Sequence, residues 1–294
     1  MSLRLEMLQV ARLAPNVLGE ATDSVRNFLH SLQNPDGGFN DRAGNSDLYY
    51  TAFALEALIA LREQLPVESV TRYLESFGDG ATLDFVHLAC LARAWASISI
   101  DHLDSATRDA IASQIESHRT PDGGYDSIPN SKDGTLYGCF LAWGTYQDLV
   151  REMPNPQNMV ACIQSLRAQD GGYANQKNLP MGLTPSTAAA ATLLRQLGEN
   201  VPDTLGQWLL ARSRPEGGFF ATPMAPLPDL LSTATALHAL AGMQADLEPI
   251  KEPCLDFVDS LWTNKGAFHG NWTDEVPDVE YTYYGLLALG HLSL

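Results

Sequence analysis

The chain has 294 residues, of which 18 are basic and 35 acidic, and its formal net charge at pH 7 is −17. Nucleic-acid binding requires clustered Lys and Arg, and an anionic membrane surface repels such a chain, so this charge balance excludes both classes of partner. With 45% hydrophobic and 18% charged residues, the composition is that of a globular protein.

The cysteines and the N-terminus indicate the compartment. Cys90, Cys139, Cys162 and Cys254 include no Cys-x-x-Cys pair, so we interpret them as buried free thiols in a reducing compartment. The N-terminus carries an early acid and has no long apolar run, unlike a signal peptide. No apolar stretch approaches the roughly 20 residues of a membrane helix. We therefore expect a cytoplasmic protein without a membrane span.

A repeated motif organises the chain. An acid-Gly-Gly-aromatic sequence begins at Asp36, Asp122, Asp170 and Glu216, and weaker copies surround Gly78 and Gly266. The marker glycines recur at intervals of 41 to 49 residues, which predicts six repeats of about 45 residues in a single domain over residues 1–294. We expect the glycines to form left-handed caps at helix ends and the aromatics to pack between repeats.

Each repeat predicts two helices. An amphipathic segment precedes the glycines, and Pro66, Pro156, Pro202 and Pro253 are expected to start four of these outer helices. A second segment follows that is apolar or small on most faces, as in a buried helix. Six outer helices alternating with six inner ones predict an all-α fold, an α6/α6 toroid. The inner segments, in chain order, are Leu48–Leu61, Phe85–Ser97, Thr135–Leu149, Ser186–Leu197, Leu230–Gly242 and Val279–His291.

Acidic residues mark the starts of the inner helices. Aspartate at such a position is expected to cap the helix by accepting backbone N–H bonds. Because the inner helices run parallel, their N-termini should converge on one mouth of the toroid, which also gathers Glu280. Bases near this mouth are few, so we expect either an intervening divalent cation or a ligand that is neutral or cationic. The predicted caps are Asp47, Asp84, Asp133, Asp229 and Asp278.

The interior is predicted to be uneven. Repeats one, three and six supply aromatic side chains, whereas repeats four and five supply mainly Ser, Thr and Ala. This distribution favours an elongated apolar pocket for a chain lipid, with ring faces that can stabilise a carbocation. The alternative is that the aromatics simply fill a packed centre. The candidate substrate-binding residues are Tyr49, Tyr50, Tyr137, Trp143, Tyr281 and Tyr284.

Histidines offer few metal ligands. His87 and His238 are isolated on inner helices, where a satisfied core histidine is the common case. No pair has the i, i+4 spacing of a helical zinc site.

These repeats resemble the β subunits of protein prenyltransferases and, more distantly, squalene-hopene-type terpene cyclases. The closest local matches are Glu216–Thr233 and Asp278–Leu286. The resemblance places the family's zinc-binding Asp, Cys and His at Asp229, Leu231 and Tyr281. Because leucine cannot coordinate and neutral tyrosine is a poor substitute for imidazole, we expect no family-type zinc site.

Two further family motifs are missing. The bases that bind diphosphate in the family would fall in residues 221–226, which contain none, and the Asp-x-Asp-Asp motif of class II cyclases is absent. The resemblance implies a helical α-type subunit as partner, with a homodimer as the alternative.

The main functional hypothesis is a prenyltransferase-like protein that binds an isoprenoid, either a prenyl diphosphate or a terpene, in the central pocket. It would transfer or cyclise that chain without zinc, using Asp229, Asp278 and Glu280 as catalytic residues. These carboxylates would hold a divalent cation such as Mg²⁺ that bridges to diphosphate, or one of them would protonate an alkene.

Two alternatives remain open at the level of the sequence. One is a non-catalytic toroid that binds an isoprenoid or a peptide. The other is a carbohydrate-active enzyme that uses two of these carboxylates as an acid and base pair.

Overall fold

The computed structural model describes residues 1–294, and helices account for almost all of its regular structure. In chain order the helices are α1 (Leu3–Ala11), α2 (Pro15–Leu18), α3 (Ala21–Ser31), α4 (Leu48–Ala60), α5 (Val67–Glu75), α6 (Phe85–Ile98), α7 (Ser105–Glu116), α8 (Leu136–Asp148), α9 (Pro156–Ser165), α10 (Thr184–Gln196), α11 (Asp203–Leu210), α12 (Leu230–Gly242), α13 (Glu248–Ser260) and α14 (Val279–Leu292).

The even-numbered helices from α4 to α14 form a closed inner ring. Each packs against the next along the chain, and α14 packs against α4. The odd-numbered helices from α3 to α13 form the outer layer and pack on the ring. The inner helices are buried on most faces, as their apolar sequences require. The predicted all-α toroid is therefore confirmed.

The inner helices begin and end within two residues of the predicted bounds. Among the prolines, Pro156 begins α9, and Pro66 and Pro202 immediately precede α5 and α11. The prediction for Pro253 is wrong, because it lies inside α13. Pro249 occupies the first turn of that helix, where a missing N–H has no intrahelical partner to lose.

Four of the five predicted aspartate caps are present. The carboxylates of Asp47, Asp84, Asp229 and Asp278 each accept a backbone N–H of the following helix. Asp133 does not cap α8. Thr135 takes that position and accepts the N–H of Gly138 at 3.0 Å.

The Gly-Gly turns lie beyond the helix ends rather than at the caps, which corrects the predicted role. Helix α3 ends at Ser31, and Gly37 lies in a later turn with φ +101°. A Cβ at Gly37 would overlap the carbonyl oxygen of Ser69, and one at Gly38 would lie 2.7 Å from the ring of Tyr73. The glycines therefore let the turn approach the next outer helix closely.

The aromatic residue after four of the turns is fixed to the inner helix by a threonine. The N–H of Phe39 donates to Thr51 Oγ1 at 2.9 Å, and that hydroxyl donates to the carbonyl of Asp47 at 2.7 Å. This arrangement satisfies two buried backbone groups with one side chain. The N–H bond recurs in the pairs Tyr173 and Thr187, Phe219 and Thr233, and Phe268 and Thr282.

Three two-residue antiparallel strand pairs were not predicted from the sequence. They link the Gly-Gly turns to neighbouring segments and are too short to show the alternation of a longer strand. The pairs are Phe39–Asn40 with Ser46–Asp47, Phe219–Phe220 with Pro228–Asp229, and Trp262–Thr263 with Ala267–Phe268.

Helix α1 closes one end of the ring and was also not predicted. It packs on α4, α8 and α14. The N–H of Leu3 donates to Gln147 near the end of α8, and Glu6 pairs with Arg195 near the end of α10. We call this end, at the C-termini of the inner helices, the floor, and the opposite end, at their N-termini, the mouth. No helix has the length and apolarity needed to cross a membrane.

Candidate functional site

A cavity of about 290 Å³ lies inside the ring, and all six inner helices contribute to its wall. The contributions follow the helical period, since residues four apart share one face. Helix α4 presents Tyr49 and Phe53, and α14 presents Glu280 and Tyr284. The cavity is at the lower end of the roughly 300–1,000 Å³ range of small-molecule sites.

The two sides of the cavity differ as the sequence predicts. On one side the ring centroids of Tyr49 and Phe53 are 5.0 Å apart, and those of Phe53 and Tyr284 are 5.6 Å apart. On the other side α10 contributes Ser186 and Ala189 among other small residues. The centre is therefore an apolar cavity with one aromatic wall, not a fully packed core.

Three of the six candidate substrate-binding residues line the cavity, namely Tyr49, Tyr137 and Tyr284. Tyr50 and Tyr281 each follow a lining residue and so point about 100° away around the helix. The Tyr281 ring covers Gly270, where a Cβ would lie 2.5 Å from its Cζ.

Trp143 also lies outside the cavity lining. Its partly buried ring packs against the hydrophobic core. The aromatic content of an inner helix therefore predicts that the helix contributes to the wall, but not which of its aromatic residues face the cavity.

Of the three candidate catalytic carboxylates, only Glu280 lines the cavity. Asp229 accepts the N–H and the hydroxyl of Ser232, both at 2.7 Å. Asp278 accepts the N–H of Tyr281 at 2.9 Å and the Nε of Arg42 at 2.7 Å. These two aspartates are held as capping groups, with their oxygens directed to backbone and side-chain donors outside the cavity.

Glu280 has the environment of a proton donor. Its Oε1 accepts the Tyr49 hydroxyl at 2.8 Å, whereas Oε2 makes no hydrogen bond to the protein. Burial raises the pKa of Glu280, and the nearby charge of Asp278 raises it further, although Tyr49 and Arg42 oppose the shift. A carboxyl group with a raised pKa keeps its proton at a higher pH than an exposed one.

Two bases at the mouth are each paired with two carboxylates. Arg42 bridges Asp274 and Asp278, with both contacts at 2.7 Å. Lys177 bridges Asp122 and Asp133 at 2.7 and 2.6 Å. Because these bases are already bound to carboxylates, they do not form a free site for diphosphate.

A histidine at the mouth also lies between two carboxylates. The ring of His87 lies between Asp84, at 2.9 Å, and Asp47, at 3.1 Å. Burial lowers the pKa of His87, but the hydrogen bonds that its ring donates to these two carboxylates outweigh this effect and raise the pKa.

The residues present do not fit a family-type metal. At the three zinc positions, Leu231 presents a hydrocarbon side chain to the cavity, Tyr281 packs on Gly270, and Asp229 is bound to Ser232. No three or more His, Cys, Asp or Glu side chains come close enough to hold a metal ion. Asp229, Asp278 and Glu280 do not form such a group either, so they do not fit the predicted Mg²⁺ site.

The deep end of the cavity contains polar residues that sequence reasoning missed. Arg93, Thr192 and His238 each lie eight residues after the first residue of α6, α10 and α12, which places them about 12 Å below the mouth. Met7 of α1 closes the cavity beside them. One signal was available, since Arg93 is the only Lys, Arg, Asp or Glu in α6.

His238 is buried as expected but is not isolated. It is 5% exposed, and its Nδ1 lies 3.1 Å from Nε2 of His291. Its Nε2 has no hydrogen-bond partner. Burial lowers the pKa of both histidines, and each would repel a second positive charge on the other, so both rings are neutral at pH 7.

Arg93 is unusual among the arginines of the chain. Its Nε is buried without a hydrogen-bond partner, and its guanidinium forms no ion pair. The nearby carboxylates of Glu56 and Asp148 pair instead with Arg4, at 3.4 and 3.2 Å.

This ring of helices and its central cavity define an α/α toroid, and the sequence assigns the family. A sequence model of the prenyltransferase alpha-alpha toroid domain matches residues 6–87, 69–220 and 187–293. The chain therefore belongs to the prenyltransferase α/α toroid family. No curated protein matches it significantly in sequence.

Solved structures of similar architecture come from two enzyme classes. The type II terpene cyclase MstE from Scytonema, in complex with geranylgeranyl dihydroxybenzoate as substrate, has a TM-score of 0.66 and 15% identity, over 95% of this chain and 97% of that chain. Candida albicans protein geranylgeranyltransferase-I, complexed with GGPP, has a TM-score of 0.69 and 15% identity, over 92% of this chain and 90% of that chain.

A protein from Actinoplanes has a TM-score of 0.60 and 15% identity, over 93% of this chain and 98% of that chain. At these identities the likeness establishes the shared fold, and the chemistry must be argued from the site.

Proposed function

We propose that this protein binds an isoprenoid in the central cavity and that Glu280 protonates one of its alkenes to start a cyclisation or isomerisation. One observation carries the proposal: Glu280 is the only carboxyl group lining a cavity that is otherwise mostly apolar and has an aromatic wall. A partly buried acid next to ring faces suits carbocation chemistry, because the rings can stabilise the cation that protonation creates.

The ligand class is supported by the structural neighbours. The terpene cyclase MstE is complexed with geranylgeranyl dihydroxybenzoate, and the Candida albicans geranylgeranyltransferase with GGPP. Both ligands contain an isoprenoid chain. The apolar cavity with its aromatic wall would bury the apolar surface of such a chain.

The proposed step balances without a co-reactant. The π electrons of the alkene form a C–H bond with the proton of Glu280, which leaves a carbocation and a carboxylate. The Tyr49 hydroxyl, donating to Oε1 at 2.8 Å, stabilises that carboxylate. A second alkene of the same chain attacks the cation to close a ring, and loss of a proton to the Glu280 carboxylate yields an isomer of the substrate.

The geometry favours alkene protonation over the two other catalytic hypotheses, which are prenyl transfer from a diphosphate and glycoside hydrolysis. Ionisation of a prenyl diphosphate needs cations around the leaving group, whereas Arg42 and Lys177 are both paired with carboxylates. A glycosidase needs two carboxyl groups facing one substrate, and here a single one lines the cavity.

The test uses Glu280→Gln, which keeps the shape of the side chain but cannot supply the proton. Farnesol would be added to wild type and variant, binding measured by calorimetry, and products identified by gas chromatography with mass spectrometry. We expect wild type to form isomers of farnesol, and the variant to bind farnesol similarly but to lose about 10²–10⁴-fold in rate.

The matched control is Glu275→Gln, the same exchange at an exposed position five residues earlier in the chain. It should retain wild-type turnover. Binding without turnover in the wild type would leave a non-catalytic isoprenoid carrier, and absence of binding by wild type would overturn the proposal.

A further inference from the structure

We infer that the floor of the cavity is a carboxylate-binding subsite, in which Arg93 and His238 hold the acidic end of an isoprenoid carboxylic acid. This inference deepens the proposed function and rests on it, because it specifies the substrate class and its orientation. The acidic end would lie at the floor and the reacting alkene near Glu280 at the mouth.

Arg93 is the main reason for placing an anion there. A guanidinium taken from water into a protein normally gains hydrogen bonds or an ion pair, because an uncompensated buried charge is costly. Arg93 lines the cavity, yet its Nε has no partner and it forms no ion pair. The planar fork of a guanidinium matches the two oxygens of a carboxylate.

The neighbouring acids do not occupy this role. Glu56 is 1% exposed and accepts from Arg4 and from the Ser97 hydroxyl, the latter at 2.8 Å. Asp148 pairs with Arg4 at 3.2 Å. Their charges act on Arg93 only from beyond ion-pair distance.

The charge balance at the floor can accept one further anion. Burial raises the pKa of Asp148 to about 6, so this carboxyl is close to taking up a proton at neutral pH. A ligand carboxylate beside Arg93 would favour the protonated form further. The floor therefore suits a single negative charge better than the several charges of a diphosphate.

His238 is a second group at the floor that has a ring nitrogen without a hydrogen-bond partner. With both imidazoles neutral, one ring nitrogen of the pair must donate across the 3.1 Å contact between Nδ1 of His238 and Nε2 of His291. The Oε1 atom of Glu6 lies 3.7 Å from Nε2 of His238, which favours a proton on Nε2. His291 then donates to His238, and the Nε2–H of His238 is left without a hydrogen-bond acceptor in the protein.

The two ends of the cavity set the length of the ligand. Arg93 is the ninth residue of α6, whereas Glu280 is the second residue of α14. At a rise of about 1.5 Å per residue, the floor donors and the Glu280 carboxyl differ in depth by about 10 Å. An isoprenoid acid with its carboxylate on Arg93 would present an internal or distal alkene to Glu280.

The experiment compares two ligands with the same tail, farnesoic acid and farnesol, in calorimetric binding to the full-length protein. We expect wild type to bind the acid about 10- to 100-fold more tightly than the alcohol, the range of a charge-assisted hydrogen-bonded pair. The variant Arg93→Met should lose this preference, with the affinity for farnesol unchanged within about twofold.

The ratio of the two affinities separates a lost subsite from a damaged fold, which would weaken both ligands. Arg93→Lys keeps the positive charge but not the planar guanidinium, and it should retain part of the preference for the acid. This variant still tests the subsite if Arg93→Met does not fold. Arg72→Met, on an exposed part of outer helix α5, is the matched control and should behave as wild type.

The outcomes distinguish the carboxylate subsite from the proposed isoprenoid-binding function. Equal binding of acid and alcohol in the wild type, or a preference that survives in Arg93→Met, would overturn the carboxylate subsite and leave the proposed function standing. Failure of both ligands to bind would count against the proposed function itself. Tighter binding of farnesyl diphosphate than of farnesoic acid, dependent on Arg93, would replace carboxylate with diphosphate at the floor.

Discussion

The mouth and the floor of the toroid both contain charged groups, but they hold them in opposite ways. At the mouth Arg42 is 36% exposed, and its partners Asp274 and Asp278 lie on one loop and one helix start. At the floor Arg4 is 13% exposed and its partner Glu56 only 1%. At the mouth Arg42 and Asp274 remain near water and only Asp278, 6% exposed, is buried, whereas the cation and both carboxylates at the floor lie within the protein.

Exposed charges need no partner because water solvates them, whereas a buried charge without a partner requires an explanation. A surface ion pair contributes little because water already solvates its members, whereas a buried one becomes strongly destabilising when one partner is removed. The mouth acids are explained by capping and loop contacts. The floor contains Arg93, which lines the cavity with a buried Nε that has no hydrogen-bond partner and which forms no ion pair, and there the structure points to a ligand.

The substitution Arg4→Met should show the largest effect of this contrast. It removes the partner of both Glu56 and Asp148 and leaves two buried carboxylates without their shared cation. We expect a loss of about 3–5 kcal/mol in the free energy of unfolding, the usual cost of breaking a buried pair. Urea denaturation followed by circular dichroism would measure it.

The matched exchange at the mouth is Arg42→Met, which also removes a cation shared by two carboxylates. Because Arg42 is more than one third exposed, and because the buried Asp278 keeps the N–H of Tyr281 as a donor, the loss should be limited to about 1 kcal/mol. Equal losses for the two variants would contradict the contrast between mouth and floor.

An intermediate effect is expected for Thr51→Val, which tests the repeated threonine contact. The substitution keeps the side-chain shape but leaves the buried N–H of Phe39 without its acceptor. An unsatisfied buried donor costs about 1–3 kcal/mol, which the same denaturation experiment would detect.

Thr145→Val provides the control for this prediction. Its hydroxyl donates only to the carbonyl of Leu141 in its own helix, at 2.8 Å. That carbonyl belongs to the regular helical pattern, so the loss should be under about 1 kcal/mol. A larger loss for Thr145→Val than for Thr51→Val would show that the linking contact has no special role.

The repeated part of the fold could be predicted from the sequence because its signals are local. The Gly-Gly turns, the capping aspartates and the apolar inner segments each depend on a few neighbouring residues. Where such a signal had two solutions the prediction failed, as at Asp133, where Thr135 caps α8 and Lys177 binds the aspartate at 2.6 Å.

The cavity wall could be predicted only in part. The sequence identifies which helices are aromatic, but one residue along a helix corresponds to about 100° of rotation. Tyr49 and Glu280 line the cavity, whereas their neighbours Tyr50 and Tyr281 do not. Choosing between such neighbours requires the orientation of each helix, which depends on packing across the whole ring.

The floor could not be predicted because it joins distant parts of the chain. Arg4 and Asp148 are 144 positions apart, and α1 lies outside the repeats that the Gly-Gly motif marks. His238 and His291 likewise meet across α12 and α14. No local sequence pattern predicts such contacts. A single arginine in an otherwise apolar helix does indicate a buried polar site, because arginine is rarely buried without a partner.

A further expected effect appears only on acidification and concerns the pH dependence of stability at the floor. The pKa of His291 in the folded protein is lowered from its ordinary value of 6.5 by burial and by His238. Below about pH 6.5 the unfolded chain binds protons that the folded chain does not, so stability falls as pH falls. From about pH 7.5 to about pH 5.5, each such histidine contributes a loss of about 1.4 kcal/mol.

In His291→Gln this contribution should disappear, and the decline in the free energy of unfolding between those two pH values should become shallower by about 1.4 kcal/mol. The same exchange at the exposed His102, His102→Gln, is the matched variant with which the change in slope is compared. Asp148, whose raised pKa acts in the opposite direction, is present in all three proteins and cancels in the comparison. An unchanged slope in His291→Gln would mean that the histidine pair accepts a proton when folded, which would place a second positive charge beside Arg93.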